Sequence, residues 1–385
     1  VQDSAPEYTF LADSFELPPQ QTRLQEFWNQ LRKNPLALMG LVIFLVFLVI
    51  ALTGRLLTFG TSPLLDPSMV RLQEKLRPPL SRPNMESLLP EEMPPMGAYL
   101  LGTDELGRDV FARMLQGAWV SLSVGFVAVG IAVFIGILLG GLAGYYGQNP
   151  IRVGEVFIAV LVIWLALGWG KLSTLILVVL ALAAIAIAVV LVVQRDSDSR
   201  GLLHVFSAEF LSVDMVITGL IDIMLCFPSF FLILTVVALL PASIYNIMIV
   251  IGITSWMGAA RFVRAEFLSL REQDFVAAAR ALGISDWRII FRHMVPNAIA
   301  PVLVSATIGI AGAILTEAGL SFLGFGVPPP DATWGNILSD GKNYLFDAPW
   351  LTFIPGIAIL VVVLSFNLFG EGLRDILNPK LRERH

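Results

Sequence analysis

The stretch "WVSLSVGFVAVGIAVFIGILLGGLAGY", residues 119–145, contains no charged side chain. About 20 consecutive apolar residues cross the hydrocarbon of a bilayer as a helix, so this stretch reads as a transmembrane helix with length to spare for a flank or a tilt. Gly136, Gly140 and Gly144 recur within it at four-residue spacing. Small residues on one face let a neighbouring helix approach closely in lipid, where packing rather than hydrophobicity drives association.

Working outward, seven further apolar runs are legible, at roughly 36–53, 153–169, 172–193, 215–240, 244–260, 298–320 and 350–369. The composition agrees: 56% of the 385 residues are hydrophobic and 14% charged, against about 45–50% and about 25% in soluble domains. The expectation is an all-α polytopic membrane protein with about eight spans. A net charge of −5 without a dense basic run excludes a nucleic-acid binder. One cysteine, Cys226, allows no internal disulfide, and His204, His293 and His385 are too scattered to suggest a metal cluster. The first 35 residues are polar, so no cleavable signal peptide is expected. "GWGKLS" (168–173) faintly echoes a phosphate-binding loop, but Leu165 and Leu172 stand where the pattern needs Gly and Ser or Thr. ATP binding by this chain is not expected.

Basic residues flanking spans set orientation. With the N-terminus inside, most of the 25 lysines and arginines fall in inside segments, including Arg261, Arg264, Arg271, Arg280, Arg288 and Arg292 after the sixth span. Both termini then face the cytoplasm. Residues 54–118 form an external loop, Pro-rich and with little regular structure until "LGTDELGRDVFARMLQGA" runs into the second span. Leu24, Phe27, Trp28 and Leu31 make an amphipathic helix suited to the inner membrane surface.

The inside segment "FVAAARALGISDWRIIFRHMVPN" (275–297) is half polar and half apolar. Residues 271–282 read as a helix with a smooth surface at Ala277, Ala278 and Ala279. Gly283 suits its C-terminus, because glycine adopts the left-handed conformation cheaply. Ser285 is a candidate cap for a second short helix containing Asp286, in which Trp287, Ile290, Phe291 and Met294 form one stripe with Arg288 and Arg292 off it. Pro296 is expected to stop that helix before the next span. Periodicity alone leaves two readings open, a helix lying on lipid or a protruding helix that plugs into a partner. Asp222 and Glu317 stand within or near the ends of apolar spans, where ionisable groups tend to face a cavity or a partner. Either is a candidate for the translocation path or for a structural hydrogen bond to a neighbouring helix. Pro228 is expected to kink the fifth span.

Several segments carry a resemblance. Ala277-Ala278-Ala279, Gly283 and Pro296, with the "HMVPN" ending, resemble the cytoplasmic "EAA–Gly" loop of ABC importer permeases. "LGTDELGRDVFARMLQGAWVSLSVG" (101–125), "FWNQLRKNPLALMG" (27–40), "VDMVITGLIDIMLCFPS" (213–229), "EAGLSFLGFGVPPPDATWG" (317–335) and "GEGLRDILNP" (370–379) resemble the dipeptide/oligopeptide permease C-type subunit. Two departures stand out: Ala277 replaces the family's glutamate, and Trp119 replaces a usual basic residue. The resemblance fails over 151–212, where two extra apolar runs are inserted.

The resemblance implies a type I ABC importer core of six transmembrane helices, to which the two extra apolar runs add an inserted two-helix hairpin. It implies a cytoplasmic tail and amphipathic helix at 1–35, a first span at 36–53, the external loop 54–118 and a second span with its inner turn at 119–150. The inserted hairpin and a polar linker follow at 151–212, then the core at 213–370 with its coupling loop 261–297, and a cytoplasmic tail at 371–385. Ala277, Ala278, Ala279, Gly283, Ser285, Asp286, Trp287, Arg288, Ile290, Phe291 and Pro296 would seat in an ATPase groove. The implied partners are a second, homologous permease, two ATP-binding subunits carrying ATP and Mg, an extracytoplasmic peptide-binding protein and the lipid bilayer. The implied location is a bacterial or archaeal cytoplasmic membrane. The implied function is ATP-driven import of di- or oligopeptides; nickel chelates, glutathione or other small solutes, carried by related permeases, are the alternative cargoes. An ion-driven secondary carrier would instead show an inverted repeat, and none is visible.

Overall fold

The computed structural model describes residues 23–60, 63–86, 88–147, 150–152 and 209–377. The expected spans 153–169 and 172–193 lie outside the described residues, as do residues 1–22 and 378–385. The helices are α1 (Arg23–Lys33), α2 (Pro35–Thr58), α3 (Val110–Tyr146), α4 (Val213–Cys226), α5 (Ser229–Leu239), α6 (Ile244–Thr254), α7 (Trp256–Arg271), α8 (Asp274–Ala281), α9 (Asp286–Phe322), α10 (Trp334–Gly341) and α11 (Trp350–Leu377). Five spans are long and apolar enough to cross a membrane, α6 and α7 together making one of them. The bent pair α4–α5 makes a sixth if it is one span. The eight expected spans are thus five to six among the described residues.

The chain is not purely helical. β1 (Pro150–Arg152) and β2 (Glu209–Ser212) pair antiparallel, bringing together the two ends of segment 153–208.

Helix α3 is the hub, packing against α2, α4, α6, α7 and α9. Its 37 residues extend about 55 Å at 1.5 Å per residue, so its ends lie in two different chemical settings. The glycine stripe performs the close packing expected of it. A Cβ on Gly136 would stand 2.6 Å from the Ala259 side chain, on Gly140 2.4 Å from the Ala260 carbonyl oxygen, and on Gly144 2.4 Å from Phe267 Cβ. Overpacking a tight contact typically costs about 1–3 kcal/mol. Gly140→Leu should therefore push α7 off α3 and lower the thermal midpoint of the purified protein. Gly130→Leu, where nothing lies within 4 Å, is the control that should leave it unchanged.

Several boundaries differ from those expected, each for a legible reason. The loop between α2 and α3 is 59–109, because Asp109 caps α3 by accepting from Phe111 N–H at 2.9 Å. The polar residues Arg113 and Gln116 of that early helix are buried against residues 331–340. The sixth span does not end at 260 but runs helical to Arg271, since Arg261 and Arg264 find carboxylates on α4. Helix 271–282 is interrupted at Glu272–Gln273, and only Asp274–Ala281 continues. Pro228 does more than kink the fifth span. Phe227 before it is extended, as residues preceding proline prefer, and α5 leaves α4 at 83°.

Candidate coupling surface and membrane charges

At one end of α3, the motif residues of the 59–109 loop fold onto each other. Thr103 Oγ1 accepts from Arg77 N–H at 2.8 Å and donates to the Glu74 carbonyl. Asp104 accepts the N–H groups of Leu106 and Arg108, both at 2.9 Å, and the Arg108 guanidinium at 2.7 Å. Gly107 sits at φ +73°, and a Cβ there would lie 1.8 Å from the Arg71 carbonyl oxygen. No other residue fits that contact. Arg113, on the first turns of α3, reaches both Asp104 and Asp340, the latter at 2.9 Å.

The second motif, 317–335, docks on the same patch. Gln116 Oε1 accepts from Ala332 N–H at 2.8 Å, and the buried Trp334 donates its indole N–H to the Met114 carbonyl at 3.2 Å. Thr333 and Asn336 form a reciprocal capping box for α10. The loop has little regular structure, as expected: among its described residues only two short 3₁₀ turns, Leu72–Glu74 and Pro90–Glu92, occur. Its order comes from long-range hydrogen bonds rather than from secondary structure.

At the other end of α3 lies the segment 272–297. Helix α8 ends as its sequence predicts. Gly283 takes φ +71°, its N–H donates to the Arg280 carbonyl at 2.9 Å, and Ile284 N–H donates to the Ala279 carbonyl at 3.1 Å. That double bond is the Schellman termination. Ser285 occupies the cap position of α9, yet its side chain makes no capping bond. Asp286 does the anchoring instead, accepting the hydroxyls of Tyr145 at 2.6 Å and Tyr146 at 3.2 Å from the end of α3. Arg280 lies 4.9 Å over the Tyr145 ring.

Pro296 does not stop the helix. Residues Ile289–Met294 form a π turn, whose last bond runs from Val295 N–H to the Ile290 carbonyl. Pro296 follows, lacking the N–H that would continue the ladder, and the Asn297 side chain caps the His293 carbonyl at 2.6 Å. α9 continues through to Phe322. The wider turn also splits the expected stripe. Ile290 and Met294 turn inward, packing with Ile289, Phe267 and Val276. Trp287 and Phe291 stay together with ring centroids 4.1 Å apart, the Trp287 side chain outermost. They border an open groove with Ser285, Arg288, Arg292 and Pro296. Of the three alanines, Ala279 is buried and Ala277 and Ala278 face outward. The surface available to a partner is therefore Ala277, Ala278, Gly283, Ser285, Trp287, Arg288, Phe291 and Pro296, with Ala279, Asp286 and Ile290 as its foundation.

The two membrane acids have different fates. Glu317 on α9 is enclosed, accepting from Ser121 Oγ at 3.3 Å and Ser321 Oγ at 2.7 Å. This is the helix-to-helix hydrogen bond that was one of its two readings. Asp222 is exposed and paired with Arg261. The arginine was legible only as a loop charge, since its partner lies 39 positions away.

A family described as the N-terminal TM domain of oligopeptide transport permease C matches residues 22–79. One described as a binding-protein-dependent transport system inner membrane component matches residues 205–383. The dipeptide transport system permease protein of Alkalihalophilus pseudofirmus is 36% identical over 358 residues, covering 93% of this chain and 90% of that one. The chain belongs to the dipeptide/oligopeptide permease C family. A di/tripeptide transport system permease protein of Pseudomonas aeruginosa is 33% identical, with 93% of each chain covered. An oligopeptide transport system permease protein of Bacillus subtilis is 29% identical, with 91% of this chain and 88% of that one covered. This family membership and the described spans make the chain a multi-pass membrane protein of a transport system. Residues 80–204, which include the inserted runs, fall between the two family matches.

Proposed function

We propose that the chain is the permease subunit of an ATP-driven importer of di- or oligopeptides. A second, homologous permease pairs with it, two ATPases carrying ATP and Mg bind at the 272–297 end, and an extracytoplasmic binding protein delivers cargo at the 59–109 end. Both termini then lie in the cytoplasm. The observation that carries this reading is the Trp287–Phe291 ring pair, held out from the protein on a base that is itself fixed. An exposed aromatic pair on a mobile loop would fold back onto the nearest apolar surface. Here the π turn and the two tyrosine bonds to Asp286 prevent that.

The mechanism follows from where rigidity lies. Tyr145, Tyr146, Asp286 and the glycine-packed α3–α7 pair tie the coupling segment to the hub helix. A displacement imposed on Trp287 is therefore delivered to α3 rather than absorbed locally. When ATP draws the two ATPases together, the permeases switch between inward- and outward-open states, a two-state equilibrium biased by differential contacts. This chain supplies no bond chemistry; it transmits movement. Where the family's glutamate stands, Ala277 is exposed, so partner contact at that position is apolar and small.

The test is purification of the tagged chain in mild detergent at native expression, with mass spectrometry of what accompanies it. Two ATPase copies and a second permease are expected. Recovery of the chain alone, or only with itself, would sink the reading.

A further inference from the structure

Helices α4 and α7 are joined by two charged rungs. Arg264 clasps Asp214 through Nε and Nη2, and both side chains are largely covered. Eight residues further along α4, about 12 Å at 1.5 Å per residue, Arg261 Nη2 donates to Asp222 Oδ1 at 2.8 Å. This second rung is open, with its side chains 55% and 68% exposed. Gly258 and Gly219, each three residues before its charged neighbour, have no atom within 4 Å of where a Cβ would stand. One turn beyond Asp222 comes the break between α4 and α5. There Cys226, Phe227, Pro228 and Ser229 are all exposed, and α5 starts without a side-chain cap.

Neither feature belongs against lipid. Charges at bilayer depth cost at least about 2.5–3.5 kcal/mol each and tend to face a cavity or a partner. Non-helical backbone at that depth is tolerated only where protein buries it or where it lines a water-filled cavity. Among the described residues nothing buries either, and the two occur within one helical turn of each other.

We propose that the Asp222–Arg261 pair lines the translocation path and recognises cargo there, Arg261 receiving a peptide's terminal carboxylate and Asp222 its terminal ammonium. The assignment of the two termini rests on the peptide-import reading above. The physical reason is charge exchange. Opening the pair leaves one cation and one anion, and a zwitterion with free termini satisfies both at once. A solute with a single charge leaves one side chain bare in a poorly hydrated passage. Between cargoes the two residues satisfy each other, so the path never holds an uncompensated charge.

Cys226, the single cysteine of the chain, is exposed one turn from Asp222 on the same helix face and serves as a reporter. In the assembled transporter in lipid nanodiscs, its reaction with a cationic and an anionic methanethiosulfonate is followed by mass spectrometry of this chain. The thiolate is the reacting species, so labelling requires water at the site. Both reagents are expected to label Cys226. Asp222→Asn should slow the cationic reagent relative to the anionic by about threefold or more, with Arg261→Gln doing the reverse, as local charge steers ionic reactants. A Cys226 that labels in the isolated chain but not in the assembly places the rung in a subunit contact and overturns the proposal. So does a cysteine that labels in neither, or one whose labelling ignores both charges.

Uptake then tests recognition. Arg261→Gln should lower uptake of a free-terminus peptide about tenfold, the worth of one charge-assisted hydrogen bond, while binding-protein-stimulated ATP hydrolysis persists. Undiminished uptake overturns the cargo role. Absence of peptide uptake by the unaltered transporter refutes the peptide reading itself and the terminus assignment with it. The labelling pattern, which uses no peptide, decides separately whether the pair lines a path.

Discussion

Asp104→Ala is expected to be the most damaging single change at the 59–109 end, with most of the protein lost before purification. The Asp104 carboxylate is fully buried and accepts from Leu106 N–H, Arg108 N–H and the guanidinium groups of Arg108 and Arg113. Removing it leaves Arg113, whose side chain is 4% exposed, with only Asp340 and a 3.4 Å contact to Asn336. Breaking a buried ion pair from one side typically costs about 3–5 kcal/mol, because the remaining charge stays out of water. The same deletion also unties the turn that places Gly107 against Arg71. Asp340→Ala provides the contrast. Asp340 is partly exposed, and Arg113 keeps Asp104 when it is lost. The yield of each variant after solubilisation, with thermal unfolding of whatever is recovered, distinguishes them, and equal loss in the two would refute the account of Asp104 as the keystone of this patch.

Trp287→Ala is expected to leave the protein folded and to disable it. Trp287 is 65% exposed, and its ring packs against Phe291, so the chain itself loses little. An aromatic anchor in a partner's groove is typically worth about 2 kcal/mol or more, roughly thirtyfold in affinity. ATPase retention and peptide uptake should both fall while the unfolding midpoint holds. Ile290→Ala should do the opposite first, because Ile290 is buried among Ile289, Phe267 and Met294. Truncating a buried isoleucine costs about 2–5 kcal/mol of folding stability. A Trp287→Ala protein that keeps its ATPases and its uptake would remove the coupling role from this ring.

These two variants also show what could be read in advance. Trp287 and Ile290 stood on one expected stripe, and an ordinary helix would have kept them there. The π turn at 289–294 changes the angle between successive residues, and no periodicity drawn at 3.6 residues can anticipate it. Gly283, by contrast, acts through its own backbone freedom, and its left-handed helix ending was legible from the residue type alone. The glycine stripe of α3 was legible for a similar reason, since spacing and size decide it. The pairs Arg261–Asp222 and Arg264–Asp214 were hidden because their partners lie 39 and 50 positions apart. A hydropathy window sees such arginines as the end of a span. In the 59–109 loop the scarcity of regular structure was legible but its order was not, because that order depends on bonds such as the one between Thr103 and Glu74, 29 positions apart.

The small ladder at 150–152 and 209–212 has an engineering consequence. Arg152 and Glu209 are paired across it, so the path of the core is already closed at that point. Residues 152 and 209 therefore stand side by side, like two pins of a socket. A fluorescent reporter or affinity module with adjacent termini has end spacing that matches this ladder, and a short hairpin joining 152 to 209 would bridge the same gap.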